Sequence, residues 1–224
     1  MNLPNIFFGI AADFPVSHKT QEFEETLLGL IEKLSCSNIV INNQVHGASG
    51  ITIEKKPKQP VTLRADDGDY LITAQPGVAI GVMTADCLPV VFYAPDKHVI
   101  AVAHAGWRGS VAGISTVVID QLVATFSIDT AQLKVWFGPA GKNCCYEVQA
   151  DFASPWPELM HKRNGKYFFD NIALNYKQLL CAGVLAENID LTNNHCTICN
   201  HSYHSYRRAE DKAIYNCQVT AVCL

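Results

Sequence analysis

One stretch constrains this chain more than any other: His98-Val99-Ile100-Ala101-Val102-Ala103-His104-Ala105-Gly106-Trp107-Arg108-Gly109. It opens as an apolar run of strand type, breaks at His104 into a glycine-flanked turn, and resumes from Ser110 to Phe126 with apolar residues at helical spacing. The pattern predicts a strand-turn-helix corner, with a histidine at the carboxyl end of the strand and an arginine just before the helix start. Free backbone N–H groups and a positive dipole end would favour an anion there. Gly106 and Gly109 would let the backbone turn sharply and approach a ligand.

The rest of the chain must supply partners for that corner. Its 224 residues suffice for a well-buried core, and no stretch has the composition of a flexible linker, so a single domain over residues 1–224 is expected. The formal charge is −4. No basic excess points to nucleic acid or an anionic membrane surface, and no apolar run reaches the length of a membrane span. The start, Met1-Asn2-Leu3-Pro4-Asn5, lacks the basic region of a signal peptide. Nine cysteines cannot all pair within one chain, so they read as reduced thiols of a cytoplasmic protein, most of them buried as small apolar side chains.

Strand patterns fall at residues 6–10, Ser37 to Asn42, Tyr70 to Ala74, Val78 to Thr84, Pro89 to Tyr93, Leu133 to Phe137 and Tyr215 to Cys223. Helical spacing marks Thr20 to Leu34, where Phe23, Leu27, Leu30, Ile31 and Leu34 share a face, and Ile172 to Ala182. Lys55 to Pro60 is a proline-broken loop, and Asp66-Asp67-Gly68-Asp69 is a turn. Strands crowd the middle with helices between and after them, which indicates an α/β or α+β domain without settling strand order.

Comparing strand ends brings out the chemistry. His46, Cys87 and His104 each fall just past the carboxyl end of a predicted strand, where open sheets commonly bind ligands. Two imidazoles and a thiolate suit Zn²⁺ and leave a fourth position open, as in catalytic sites. The same atoms fit a different chemistry, with Cys87 as nucleophile, His104 as its base, and Asp69 or Asp86 orienting the ring. That would be a cysteine hydrolase acting on an amide. Both readings need a depressed thiol pKa, so spacing does not separate them. A non-catalytic zinc-binding protein is a third reading.

Three blocks carry a resemblance: Gln44-Val45-His46-Gly47, Thr84-Ala85-Asp86-Cys87-Leu88-Pro89-Val90, and His104-Ala105-Gly106-Trp107-Arg108-Gly109. They resemble the signature blocks of the YfiH-type laccase-domain family, also called multicopper polyphenol oxidoreductase laccase and linked to purine nucleoside metabolism. Gly138-Pro139 with Tyr146-Glu147-Val148, Cys196-Thr197, and Ser205-Tyr206-Arg207-Arg208 resemble its later blocks, and Asp69 matches an acidic position ahead of a strand. The resemblance implies an α+β fold of two mixed β-sheets face to face with helices outside. It implies one zinc on His46, Cys87 and His104, and catalytic roles for Cys87, His104 and Asp69. It implies phosphorolysis of adenosine, inosine, guanosine or methylthioadenosine, with adenosine deamination alongside. Other accounts of the family describe copper-dependent polyphenol oxidation and amide cleavage in editing a peptidoglycan precursor.

Of the eight histidines, only His46 and His104 sit in the central blocks. That suits a mononuclear site better than the several coppers of a laccase, although copper could also occupy a site of two histidines and a cysteine. The partners expected are a purine nucleoside and phosphate. Arg108 is the first candidate for phosphate, followed by Arg207 and Arg208. Tyr206 or Trp107 could stack on a base, and Gln44 and Asp86 complete the substrate-binding set. Two departures stand out. The family's N-terminal arginine has no counterpart in Ile10 to Ser17, and the loop from Gly138 to Cys145 is rearranged. Its vicinal Cys144 and Cys145 read as packing residues. The Cys196-x-x-Cys199 pair, with histidines too close for a zinc finger, reads as a wall of the site leading into Tyr206 and Arg207.

Overall fold

The computed structural model describes residues 3–152 and 156–224. Apolar alternation along the strands dictates the layering. In the strand Val99–Ala105, Ile100 and Val102 join a core with Val40, Ile80 and Val222, while Val99, Ala101 and Ala103 join a different core with Ile114, Val118 and Leu122. Both faces are therefore covered, which explains why the run is continuously apolar rather than alternating with polar residues.

Two mixed sheets result. In the five-stranded sheet the order is Asn5–Phe8, Gln218–Cys223, Val78–Thr84, Asn38–Asn43 and Val61–Asp67. In the six-stranded sheet it is Ile189–Asp190, Lys134–Phe137, Leu88–Ala94, Val99–Ala105, Tyr70–Thr73 and Gly50–Ile53. Val40, Ile80 and Val222 of the first meet Leu71, Val91 and Ile100 of the second in the layer between them. The helix Gln21–Lys33 covers the outer face of the first sheet through Phe23, Leu27, Leu30 and Ile31. The helices Ile114–Phe126 and Asn171–Cys181 cover the outer face of the second. A small three-stranded sheet adjoins them. The expected α+β arrangement, two mixed sheets face to face with helices outside, is the one found.

The departures from expectation have local causes. The helical pattern from Ser110 to Phe126 is two helices, Trp107–Val111 and Ile114–Phe126, because Gly113 takes φ +82° between them. Arg108 thus lies inside the first turn of a five-residue helix rather than before a long one, and that helix carries little dipole. The strands Gly50–Ile53 and Val61–Asp67, not expected from the sequence, lie at sheet edges; the first is only four residues long, and the second alternates apolar and polar residues from Val61 to Asp66. Asp66 and Asp67 end the second of these, so the expected turn shrinks to Gly68 and Asp69. Among the described residues, no helix is long and apolar enough to cross a membrane.

Candidate metal centre

The chain leaves one sheet for the other between Thr84 and Leu88, and Cys87 sits in that crossing. His46 follows the neighbouring parallel strand Asn38–Asn43. His104 belongs to the other sheet. It lies within the strand Val99–Ala105, not past its end as expected, because it still pairs with Pro89 and its N–H donates to the Asp69 carbonyl at 2.7 Å. The three residues meet where the two sheets' ends converge, and their ligating atoms lie within 4.8 Å of one another. The two imidazole rings stand edge to face, with centroids 4.8 Å apart.

Asp69 organises this meeting. It is fully buried, and Oδ1 lies 2.8 Å from His104 Nδ1. Asp69 Oδ1 also accepts the His46 N–H at 2.9 Å, and Oδ2 accepts the Gly47 N–H at 2.6 Å. With Nδ1 held by the carboxylate, Nε2 is the His104 nitrogen turned toward Cys87, where it would serve as the ligand. The two backbone bonds hold His46 in the left-handed region at φ +62°, which a non-glycine residue rarely adopts. Burial would raise the pKa of Asp69, but His104 and the two backbone donors more than offset it and hold the carboxyl below its usual range.

The thiol and the imidazole perturb each other in the same way. Burial pushes Cys87 up, yet the charges and hydrogen bonds of His104 and His46 bring it down to about 6. Burial pushes His104 down, and the Cys87 thiolate and Asp69 raise it to about 9. Such a donor set attracts a cation. The backbone leaves room for one: a Cβ on Gly106 would lie 3.1 Å from Cys87 Sγ, 3.4 Å from His46 Cδ2 and 3.5 Å from His104 Cε1. Gly109 serves closeness instead, since a Cβ there would meet the Gly47 carbonyl at 2.4 Å. The block's two glycines thus keep the cradle open and the two loops in contact.

The donors face a cavity of about 560 Å³. Gln44, Arg108 and Tyr206 of the expected substrate set line it. Gln44 is spoken for in part: its side-chain amide donates to the Met83 carbonyl and accepts the Met83 N–H, at 2.7 and 2.8 Å. Arg108 is exposed and lies over the Trp107 ring, 4.6 Å from its centroid. Asp86 and Arg207 stand outside the lining. The Asp86 carboxylate accepts hydrogen bonds from Thr197 Oγ1 at 2.6 Å, Ser205 Oγ at 2.9 Å and the Arg207 N–H at 2.7 Å. Arg207 donates to the Glu147 carbonyl and lies over the Tyr146 ring. Asp86 does not reach the His104 ring nitrogen that Asp69 holds, which decides which acid orients the imidazole. Arg208 is turned inward onto the carbonyls of Thr197, Ile198 and Tyr203.

Residues that spacing did not single out also line the cavity: His18, Lys19, Arg64, Lys212 and Tyr215. Arg64 donates to the His18 carbonyl and comes from an edge strand, where φ is +52°. No short motif joins these residues, which arrive from three separate segments. The absence of an arginine from Ile10 to Ser17 therefore leaves Lys19 and Arg64 as cations on that side of the cavity.

The sequence profile of the multi-copper polyphenol oxidoreductase laccase family matches residues 12–222. The chain belongs to this family. A purine nucleoside phosphorylase of Xylella fastidiosa (strain Temecula1) is 30% identical over 218 residues, covering 93% of this chain and 80% of that one. Adenosine deaminase RL5, from an unknown prokaryotic organism, is 34% identical over 151 residues, covering 62% of this chain and 56% of that one. The crystal structure of YlmD from Geobacillus stearothermophilus superposes with a TM-score of 0.75 at 28% identity, covering 89% of this chain and 78% of that one. The family's descriptive name invokes several coppers. In this member, the described residues hold two groups of ligand atoms close enough for a metal, and only the group at His46, Cys87 and His104 contains histidine.

Proposed function

We propose that this protein is a zinc-dependent purine nucleoside phosphorylase, cleaving adenosine, inosine, guanosine or methylthioadenosine with phosphate and deaminating adenosine alongside. One observation carries the reading: two imidazoles and a thiolate converge at the mouth of a cavity that also presents Arg108, Lys19, Arg64 and Lys212. His46, Cys87 and His104 would hold the zinc. Bound there, it supplies a Lewis acid with an open coordination position and no redox chemistry of its own. The donor set would accept copper too, but a single site with one thiolate does not provide the several coppers a polyphenol oxidase uses.

The remaining residues bind and orient. Asp69 keeps the proton on His104 Nδ1 and so fixes which nitrogen faces the cavity. Arg108, seated on Trp107, presents a guanidinium fork suited to two phosphate oxygens. Tyr206 and Tyr215 form an edge-to-face pair with centroids 5.1 Å apart, and both line the cavity as an aromatic wall for a base. Cys87, His104 and Asp69 also have the connectivity of a nucleophile, base and orienting acid, which keeps the hydrolase as a second reading. His46 favours the metal, because a second imidazole converging on the thiol has no part in such a triad.

Titrating phosphate at fixed adenosine tests the proposal. Wild-type protein should release adenine and ribose-1-phosphate. Arg108→Lys should keep its zinc and need about ten- to a hundredfold more phosphate, the loss of one charge-assisted hydrogen bond of roughly 1.5–3 kcal/mol. Deamination, which consumes no phosphate, should fall less. Equal loss of both activities would remove Arg108 from the phosphate site, and a metal-loaded protein that turns over no nucleoside would defeat the reading.

A further inference from the structure

Four cysteines that the sequence scatters into two pairs come together away from the histidine-containing site. Cys144 and Cys145 lie in the turn after Gly141, and Cys196 and Cys199 in the loop after Asn194. Their four sulfurs all lie within 4.8 Å of one another, and all four are free thiols. Neither the packing role expected for the vicinal pair nor the wall expected for the C-x-x-C pair requires such convergence. Thiolates at about 2.3 Å from a tetrahedral zinc stand roughly 3.8 Å apart, so a contraction of no more than about 1 Å closes the group around an ion.

The backbone supports the same reading. The two loops are joined by a parallel bridge between Ala140 and Cys196, with Ala140 N–H donating to the His195 carbonyl and Thr197 N–H to the Ala140 carbonyl, both at 3.0 Å.

We infer that Cys144, Cys145, Cys196 and Cys199 form a second, structural zinc site that locks the two loops together. It is a closed site, since four protein sulfurs fill a tetrahedron and leave no position for substrate. Its place in the fold gives it a task. Gly141 N–H donates to the Asp86 carbonyl at 2.8 Å, and Thr197 Oγ1 to the Asp86 carboxylate at 2.6 Å. The clamped loops therefore grip the residue just before Cys87. Binding displaces protons from the thiols and needs no oxidant.

Elemental analysis of protein purified without chelator decides the matter. Wild type should carry about two zinc ions per chain, one for each donor group. His104→Ala should keep the four-cysteine zinc and lose the other. A Cys196→Ser, Cys199→Ser double variant should lose the four-cysteine zinc and keep the other. Should that variant fail to fold, cobalt loading of His104→Ala serves instead, and should give the intense near-ultraviolet thiolate-to-cobalt charge-transfer absorption of a four-sulfur site. A wild type with a single zinc that survives His104→Ala and is lost with the cysteine pair would sustain this site while defeating the zinc-dependent reading of the cavity. The inference is overturned if His104→Ala protein holds no zinc, if the double variant retains the full wild-type complement, or if intact mass shows a disulfide among the four cysteines.

Discussion

Among the described residues, the two groups of side chains placed to hold a metal are built on opposite plans. His46, Cys87 and His104 come from the ends of interior strands of both sheets, and their positions are set by strand pairing and by one buried carboxylate. Cys144, Cys145, Cys196 and Cys199 come from two loops, held to each other by a single β-bridge and a few backbone hydrogen bonds. The first group opens on a cavity. The second has no comparable scaffold, and a set of four sulfurs leaves no open coordination position. A rigid frame with a missing ligand suits reactivity, whereas a loose frame with a full ligand set suits cross-linking. Asp86 ties the two together through its backbone carbonyl and its carboxylate.

Removing a donor from the open cluster should give the largest effect. His104→Ala should lose the cavity's metal and bring nucleoside cleavage down to the background of the assay, while the protein still folds. Elemental analysis beside an adenosine assay reads both. Undiminished metal content would show that the three donors do not act as a set. Asp69→Asn should follow. It removes the charge opposite His104 and leaves the Gly47 N–H facing an amide donor or a weaker acceptor. Metal affinity should fall by about ten- to a hundredfold, as for other carboxylates behind a ligating histidine. Competition with a chromophoric chelator measures it, and an unaltered affinity would reduce Asp69 to a loop staple.

Reactivity toward iodoacetamide separates ligand from nucleophile. In metal-loaded protein Cys87 should resist alkylation, and chelator should expose it. The freed thiol should then react as a thiolate above an apparent midpoint near pH 6, because its pKa lies below that of an ordinary cysteine. Peptide mass spectrometry across a pH series follows this. Rapid labelling before chelation would favour the hydrolase reading.

How legible these plans were in the sequence follows from how each is built. His46, Cys87 and His104 end or adjoin runs of strand type, so a reading of strand ends found all three, and the matched blocks named them independently. Asp69 was visible only as an acid before a strand. Its grip on His46, Gly47 and His104 depends on the antiparallel pairing of Tyr70–Thr73 with Val99–Ala105. The cavity's cations Lys19, Arg64 and Lys212 were not legible, because each stands alone in its own segment. Nor was the convergence of four cysteines, since the 50 residues between Cys145 and Cys196 cross the small sheet and a helix before the loops meet. Local spacing carries no information about a contact closed by tertiary packing, and for that reason the matched block that put Asp86 in the substrate set did not show its hydrogen bonds to Thr197, Ser205 and Arg207.

The smallest expected effect tests that last point and the link between the clusters. Thr197 donates its hydroxyl to Asp86 Oδ1 from a fully buried position. Thr197→Val keeps the shape and deletes one of three side-chain or backbone donors to that carboxylate. A hydrogen bond to a charged group contributes about 1.5–3 kcal/mol, which in a chain of this size lowers Tm by roughly 3–12 °C. If Asp86 acts by gripping the loops behind Cys87, the variant should melt earlier and release the metal of the four-cysteine site more readily, while the KM for nucleoside stays close to wild type. If Asp86 instead binds substrate, freeing one of its oxygens should alter KM with little change in melting temperature. Calorimetry and steady-state kinetics on the same preparation distinguish the two. A large shift in KM at constant Tm would return Asp86 to the cavity and break the connection drawn here between the closed cluster and the open one.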